Sequence, residues 1–365
     1  MKTTLAKAAV LIQAFIQANT PVNLLGSPGV GKSDVIKQVA EQLDLKVIDF
    51  RLSTCDPTDL SGIPFITGNR SAYMPNEAFP LVGDALPYKG KVPALDANNK
   101  PMLDENKNPI MKDAYYKGWL LFLDEITNAP MAVQAAAYQL VLDRQVGQNK
   151  LHPNVRIVSA GNLLTDAAAV TGEMSTALKS RMAHINIEIS VEDWLDWAMH
   201  AGVHHSITSF IKFKTTALYQ FIPNSQQDTF PCPRTWSMLN DIITVVGIND
   251  SNLQNLASAT ISDGMASEYT SFCKHFSNLP TYADIVANPT KIDIPKEMST
   301  LYALSGSIGS QVKKETIAEI MAFIDRMPKE FQLRTFNDFT KRDTSLVALA
   351  PVRQWLTANA KNMIK

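Results

Sequence analysis

Apolar residues at Leu5, Ala8, Ala9, Ile12, Phe15 and Ile16 recur on one face at helical spacing, which predicts an amphipathic helix at the start of the chain. A different pattern follows. Val22-Asn23-Leu24-Leu25 is a short apolar run that stops at a glycine, as a buried strand does, and Ile36, Val39, Ala40 and Leu43 then return to helical spacing. Lys46–Leu52 (KVIDFRL) predicts a second strand, Trp119–Leu123 (WLLFL) a third that is apolar throughout and so central, and Val155–Ala160 (VRIVSA) a fourth. Ile185, Ile187 and Ile189 alternate with Asn186 and Glu188, the period-two signature of a fifth. Helical stretches lie between most of these runs. The alternation predicts an α/β fold with a five-stranded parallel sheet and helices on both faces.

Two regions depart from this rhythm. Residues 84–117 are rich in Asn, Asp, Lys and Pro and contain a tandem repeat, LDANNKPM (Leu95–Met102) followed by LDENKNPI (Leu103–Ile110). Turn formers recur at the same offset, which predicts a polar hairpin inserted in the core. Asp96-x-Asn98 and Asp104-x-Asn106 resemble calcium-loop spacing, but the glycine and terminal glutamate of such loops are missing, so solvated turns are expected. Past residue 190 the strand signals fade. Ser190 ahead of Glu192 and Asp193 predicts a capped helix, with Trp194 and Trp197 as core anchors. PRTWSMLNDIITVVG predicts another helix, and Ile317, Ile320, Met321 and Ile324 mark a later one. The expected domains are an α/β core over 1–189, a helical region over 190–280 and, beyond a Pro-rich joint near 280–296, a helical extension over 281–365.

The 365 residues are 45% apolar and 19% charged with a formal net charge of −1, ordinary for a globular protein of two or three domains. With no basic tail and no long charge block, attachment to nucleic acid through bulk charge is disfavoured. Cys55, Cys232 and Cys273 are far apart and form no CxxC pair, which argues against a metal cluster or disulfide framework and for a reducing, cytoplasmic setting. The opening MKTTLAKAAVLIQAFIQANTP does not read as a signal peptide, because Lys7, Gln13 and Gln17 interrupt it and no small-residue cleavage site follows. No segment has the apolar length to cross a bilayer, so no membrane association is expected.

The chemistry begins at GSPGVGKS, Gly26–Ser33, between the first buried strand and its helix. It matches the phosphate-loop pattern Gly-x-x-x-x-Gly-Lys-Ser in full. Gly26, Gly29 and Gly31 let backbone N–H groups turn toward an anion, Ser27, Pro28 and Val30 complete the loop, and the helix opening through Asp34 adds its positive end. Lys32 would reach the β- and γ-phosphates and Ser33 would bind Mg²⁺. Asp124 ends the WLLFL strand and Glu125 follows it. At the tip of a buried strand in a phosphate-loop protein, Asp124 would hold Mg²⁺ through its water shell and Glu125 would orient and polarise the attacking water. ATP and Mg²⁺ are the expected cofactors. The next strand ends at Asn162, whose amide either sits between Glu125 and the γ-phosphate or caps a turn.

GSPGVGKS, LLFLDEITNAPMAVQAAAYQLVLDRQV, IVSAGN, LKSRM and CPRTW occur in the order found in AAA+ ATPases, and the chain resembles the MoxR-like branch, which includes dynein-related and CbbQ/NorQ-type ATPases. The resemblance covers roughly residues 5–245. It implies that Asn162 is sensor 1, that Arg181 is an arginine finger reaching a neighbour's nucleotide, that Arg234 is sensor 2 on a helical lid formed by 190–280, and that the chain assembles as a ring, by family expectation a hexamer. The alternative for both arginines is a surface salt bridge. Relatives commonly read DEINRAP where this chain reads DEITNAP, so Thr127 and Asn128 stand in place of Asn and Arg. The branch also carries an insert that projects toward the ring pore. Residues 55–117 occupy that place, which makes Tyr88, Tyr115 and Tyr116 candidate substrate contacts.

Three uses of the ATP energy compete. The favoured one is a ring that remodels a protein partner in a chaperone-like way; the resemblance suggests a partner with a von Willebrand factor A domain. A nucleic-acid motor on the same core would need a basic track, and only scattered clusters such as Lys212, Lys214 and Lys313, Lys314 are present. A GTPase subunit would need a guanine reader. Thr290-Lys291-Ile292-Asp293 fits its letters but lies far beyond the sheet.

Overall fold

The short apolar runs ending in Gly or Asp become strands of one parallel sheet in the computed structural model, which describes residues 1–96, 98–163, 174–223, 225–277 and 279–359. The chain divides into two units, Met1–Ile189 and Ser190–Lys365. The first unit opens with β1 (Lys2–Thr3), α1 (Leu5–Gln17), β2 (Val22–Leu25), α2 (Lys32–Gln42), β3 (Leu45–Arg51) and α3 (Pro57–Ser61). Two hairpins follow, β4–β5 (Ile63–Thr67, Arg70–Met74) and β6–β7 (Tyr88–Pro93, Met111–Tyr115). The unit closes with β8 (Gly118–Asp124), α4 (Met131–Leu142), the ribbon β9–β10 (Gln145–Val146, Asn149–Lys150), β11 (Val155–Gly161), α5 (Thr176–Lys179) and β12 (Ala183–Ile187).

The sheet has six strands in the order β1-β12-β2-β11-β8-β3 rather than the five expected. The extra one is the pair Lys2–Thr3, which aligns with Asn186 and Ile187. Two residues are too few to show a period, and only pairing with β12 makes them a strand. All five pairings are parallel. Every residue from Leu120 to Leu123 is 0% exposed, so β8 is covered on both faces, as its unbroken apolar run implies, although it lies not at the centre of the sheet but between β11 and the edge strand β3. Helix α1 buries Ala8, Ile12 and Ile16, the stripe that its spacing predicts. The carboxyl ends of β2, β11 and β8 lie side by side, and this is the edge of an open α/β sheet at which ligands bind.

The insert forms the expected hairpin, with β6 and β7 paired antiparallel and the tandem repeat at its end. Asp96 Oδ1 accepts from the N–H groups of Asn98 (2.8 Å) and Lys100 (2.9 Å), and Asp104 Oδ1 accepts from those of Asn106 (2.9 Å) and Asn108 (2.8 Å). Each carboxylate thus caps its own turn. Among the described residues no three His, Cys, Asp or Glu side chains gather to hold a metal.

The second unit is helical: α6 (Val191–His200), α7 (His205–Phe213), α8 (Pro233–Val246), α9 (Leu253–Ile261), α10 (Asp263–Ser277), α11 (Tyr282–Ala287), α12 (Met298–Gln311), α13 (Ile317–Ile324), α14 (Lys329–Arg342) and α15 (Ala350–Asn359). Ser190 Oγ caps α6 by accepting from Asp193 N–H at 3.1 Å. Trp194 is buried, but Trp197 is 49% exposed and is not a core anchor. The inward position one turn on from Trp194 is taken by Ala198, which leaves Trp197 on the flank. Ile317, Ile320, Met321 and Ile324 are all buried in one apolar cluster with Phe331, Phe339 and Trp355. Among the described residues no helix is long and apolar enough to cross a membrane.

Candidate nucleotide site

The phosphate loop is shaped by its glycines. Gly29 and Gly31 have φ of 76° and 97°, a region that side chains rarely enter, and Gly31 is the residue from which α2 starts. This turn aims the first N–H groups of α2 back at the loop, where an anion would meet them together with the helix dipole. Val30 is buried and pins the loop, while Ser27 and Pro28 are half-buried. Asp34 is exposed in the first turn of α2, a place where a carboxylate stabilises a helix.

Lys32 is only 9% exposed. Its Nζ donates to Gly26 O (2.6 Å), Ser27 O (2.9 Å) and Asn162 Oδ1 (3.2 Å). A buried ammonium needs such partners, since desolvation otherwise disfavours its charge. Here they draw the ammonium into the cradle and tie α2 to the tip of β11. Phosphate oxygens are the other ligands for which an ammonium so placed is suited.

Ser33 and Asp124 also meet, Oγ donating to Oδ2 at 3.1 Å. Asp124 Oδ1 accepts from Glu125 N–H at 2.8 Å, and Glu125 has φ of 57°, the left-handed region. A non-glycine residue held there stores strain of a kind that clusters at functional sites. The bend turns the chain just past β8, so that Glu125 Oε2 accepts a hydrogen bond from Ser53 Oγ. Asp124 is aligned with Arg51 of β3, which brings the residues just past both strands together. A hydroxyl and a carboxylate side by side are hard oxygen donors of the kind that hold Mg²⁺ when phosphates and water supply the remaining ligands.

Asn162 is positioned from behind. Its backbone N–H donates to Thr127 Oγ1 at 3.0 Å, and Thr127 is buried. A Cβ on Gly161 would come within 2.7 Å of Thr127 Cγ2 and 2.8 Å of Thr127 Oγ1, so the missing side chain of Gly161 admits the threonine. Lys32, Ser33, Asp124, Glu125 and Asn162 therefore converge on adjacent strand ends, as their motifs predict. Sequence reasoning missed Ser53 and missed the part played by Thr127. Ser53 carries no local signal, because its meeting with Glu125 depends on strand register. Thr127 does have one in its departure from DEINRAP.

Arg181 lies elsewhere. It is exposed, its Nη1 donates to Ala177 O (3.2 Å) and Ser180 Oγ (2.6 Å), and its guanidinium lies 5.4 Å from the Tyr138 ring centre. Arg234 is exposed at the start of α8 in the second unit. The tetrad Thr290-Lys291-Ile292-Asp293 also lies in the second unit, on a different body from the sheet that its guanine-reading role would require.

Residues 21–182 match the model of the AAA domain, dynein-related subfamily. No curated protein matches the chain. Among solved structures it is similar to NtrX from Brucella abortus in complex with ATP, at 11% identity over 98% of this chain and 68% of that one, with a TM-score of 0.38. It is likewise similar to RuvB of Thermotoga maritima, a Holliday junction branch migration motor, at 17% identity over 86% of this chain and 83% of that one, with a TM-score of 0.35. The segment 21–182 is an AAA domain with a phosphate loop and a parallel sheet. The first unit thus has the α/β phosphate-loop fold of AAA+ proteins, and the chain is an ATP-hydrolysing enzyme.

Proposed function

We propose that this AAA+ ATPase is MoxR-like, uses Mg-ATP, and works as a homo-oligomeric ring, a hexamer, that remodels or activates a protein partner in a chaperone-like way. A protein bearing a von Willebrand factor A domain is the expected class of partner. The observation that carries the reading is the contrast between Lys32 and Arg181. Lys32 is drawn into the phosphate cradle, whereas Arg181 stands exposed and, among the described residues, is seen to bond its own turn and to lie over the Tyr138 ring. A planar cation offered to solvent beside an ATPase core is suited to reach the transferring phosphoryl group of a neighbouring copy.

In this reading Lys32 would hold the β- and γ-phosphates, and Ser33 and Asp124 would hold Mg²⁺, which when bound would supply positive charge against the phosphate oxygens. Glu125 orients the attacking water and takes its proton. Ser53 occupies one oxygen of Glu125 and must yield before that carboxylate can act as base. Asn162 would sit between Glu125 and the γ-phosphate. Arg234 senses nucleotide from the helical lid, 190–280, and 281–365 extend the lid. The hairpins of residues 55–117 face the partner. A nucleic-acid substrate is less favoured, since the chain's net charge is −1.

The test is ATPase rate per chain against protein concentration, with Arg181→Ala alongside. A shared site predicts a rate that rises as chains assemble. It also predicts that Arg181→Ala loses about 10³-fold or more in kcat while still binding nucleotide. A flat rate with an active Arg181→Ala sinks the ring. Strong, salt-sensitive stimulation by DNA sinks the protein-remodelling assignment.

A further inference from the structure

A polar row crosses the interior of the sheet. Ser159 of β11 and His184 of β12 are the register partners of Asn23 on the two sides of β2. Asn23 and Ser159 are 0% exposed. Ser159 Oγ donates to Asn23 Oδ1 at 2.8 Å, and Asn23 Nδ2 lies 3.4 Å from His184 Nδ1. The far side of the imidazole continues the chain, with Nε2 at 2.7 Å from Lys179 O. A carbonyl only accepts, so the ring carries its proton on Nε2 and turns an acceptor Nδ1 toward the Asn23 amide. Every bond in the row then has a donor and an acceptor, which is the condition under which a buried polar network rigidifies its surroundings.

The ends of the row give it meaning. Asn23 lies three residues before Gly26, and Ser159 three before Asn162. Lys179 ends α5, and Arg181 is two residues on. We infer that Asn23 and His184 are positioning residues that hold the Arg181 turn in register with the strands bearing the phosphate loop and Asn162. An apolar residue in place of His184 would leave the Asn23 amide and the Lys179 carbonyl without these partners, and the turn would be free to shift. This inference rests on Arg181 acting in a neighbour's site.

The test uses His184→Asn and His184→Gln, each alone and combined with Arg181→Ala, on the assembled full chain. Asn copies the Nδ1 side of the ring and loses Lys179 O; Gln copies the Nε2 side and keeps it. His184→Asn is expected to lower kcat about tenfold, the effect of one hydrogen bond lost from a positioned group, with nucleotide affinity unchanged within about twofold. His184→Gln recovers most of the rate. The double variant His184→Asn with Arg181→Ala is no slower than Arg181→Ala alone, because both act through one group. Additive losses, an equal fall in nucleotide affinity, or failure of Gln to recover the rate would each overturn the inference. The two readings separate cleanly. A fully active Arg181→Ala removes the finger beneath both, whereas an inactive Arg181→Ala beside an unimpaired His184→Asn removes the positioning role alone.

Discussion

Two parts of the first unit are built from the same residue types and use them differently. At the ends of β8 and β11, and in the turns of the 95–110 repeat, Asp and Asn recur. In the repeat each aspartate bonds N–H groups two and four residues ahead. At the strand ends Asp124 meets a hydroxyl 91 residues away and Asn162 a lysine 130 residues away. The local bonds only shape a turn. The long-range bonds gather a cation, a hydroxyl, carboxylates and an amide at one sheet edge, which chemistry requires and turn formation does not. Partner distance separates the two sets: the aspartates of the repeat bond within their own turns, whereas Asp124 and Asn162 reach across the chain.

The contrast is tested most severely at Glu125 and Lys32. Glu125→Gln keeps the shape and removes the base, so ATP hydrolysis should fall by about 10²- to 10⁴-fold while nucleotide binding persists, measured by ATPase rate and by a fluorescent nucleotide. Lys32→Ala should instead lose binding itself. If Glu125→Gln hydrolyses ATP at near the native rate, the strand ends do not form the site, however well their side chains converge.

A smaller effect is expected at Thr127. Thr127→Val keeps the shape that Gly161 admits but leaves the Asn162 N–H without its acceptor, a cost of about 1–3 kcal/mol. That cost should appear in kcat more than in nucleotide affinity, because Thr127 acts through Asn162. Thr127→Ser, which restores a hydroxyl, should recover the rate. Equal losses in the two variants would mean that packing against Gly161 matters and the hydrogen bond does not.

These residues also show how far the sequence could be read. Gly26–Ser33 and Asp124-Glu125 were legible because a phosphate loop and a strand-end carboxylate pair are local patterns, and the five longer strands of the parallel sheet each carry an apolar-rich run or, in β12, an alternation of apolar and polar residues. The edge strand Lys2–Thr3 was not legible, since it exists only through its pairing with β12. Ser53 and the Ser159–Asn23–His184 row were hidden for the same reason: strand register makes them neighbours, and register is not written in any one segment. Asn23 was in plain view within an apolar run, a lone polar residue whose partners lie on two other strands. Trp197 failed in the opposite direction. Its aromatic character suggested burial, but helical phase placed Ala198 inward.

The smallest effect should come from the repeat. Asp96→Ala and Asp104→Ala each remove an acceptor of two backbone N–H groups that lie in exposed turns and can bond water instead. Each should lower stability by no more than about 1 kcal/mol, read from thermal or urea unfolding, and leave basal kcat and nucleotide affinity unchanged. The double variant should be close to additive, because each carboxylate serves only its own turn. If either substitution changed basal ATPase activity tenfold, the insert would be coupled to the nucleotide site, and partner distance would fail as a guide. If instead basal activity held and only stimulation by a protein partner was lost, the repeat would be a docking element, with its two aspartates shaping the loops that the partner meets.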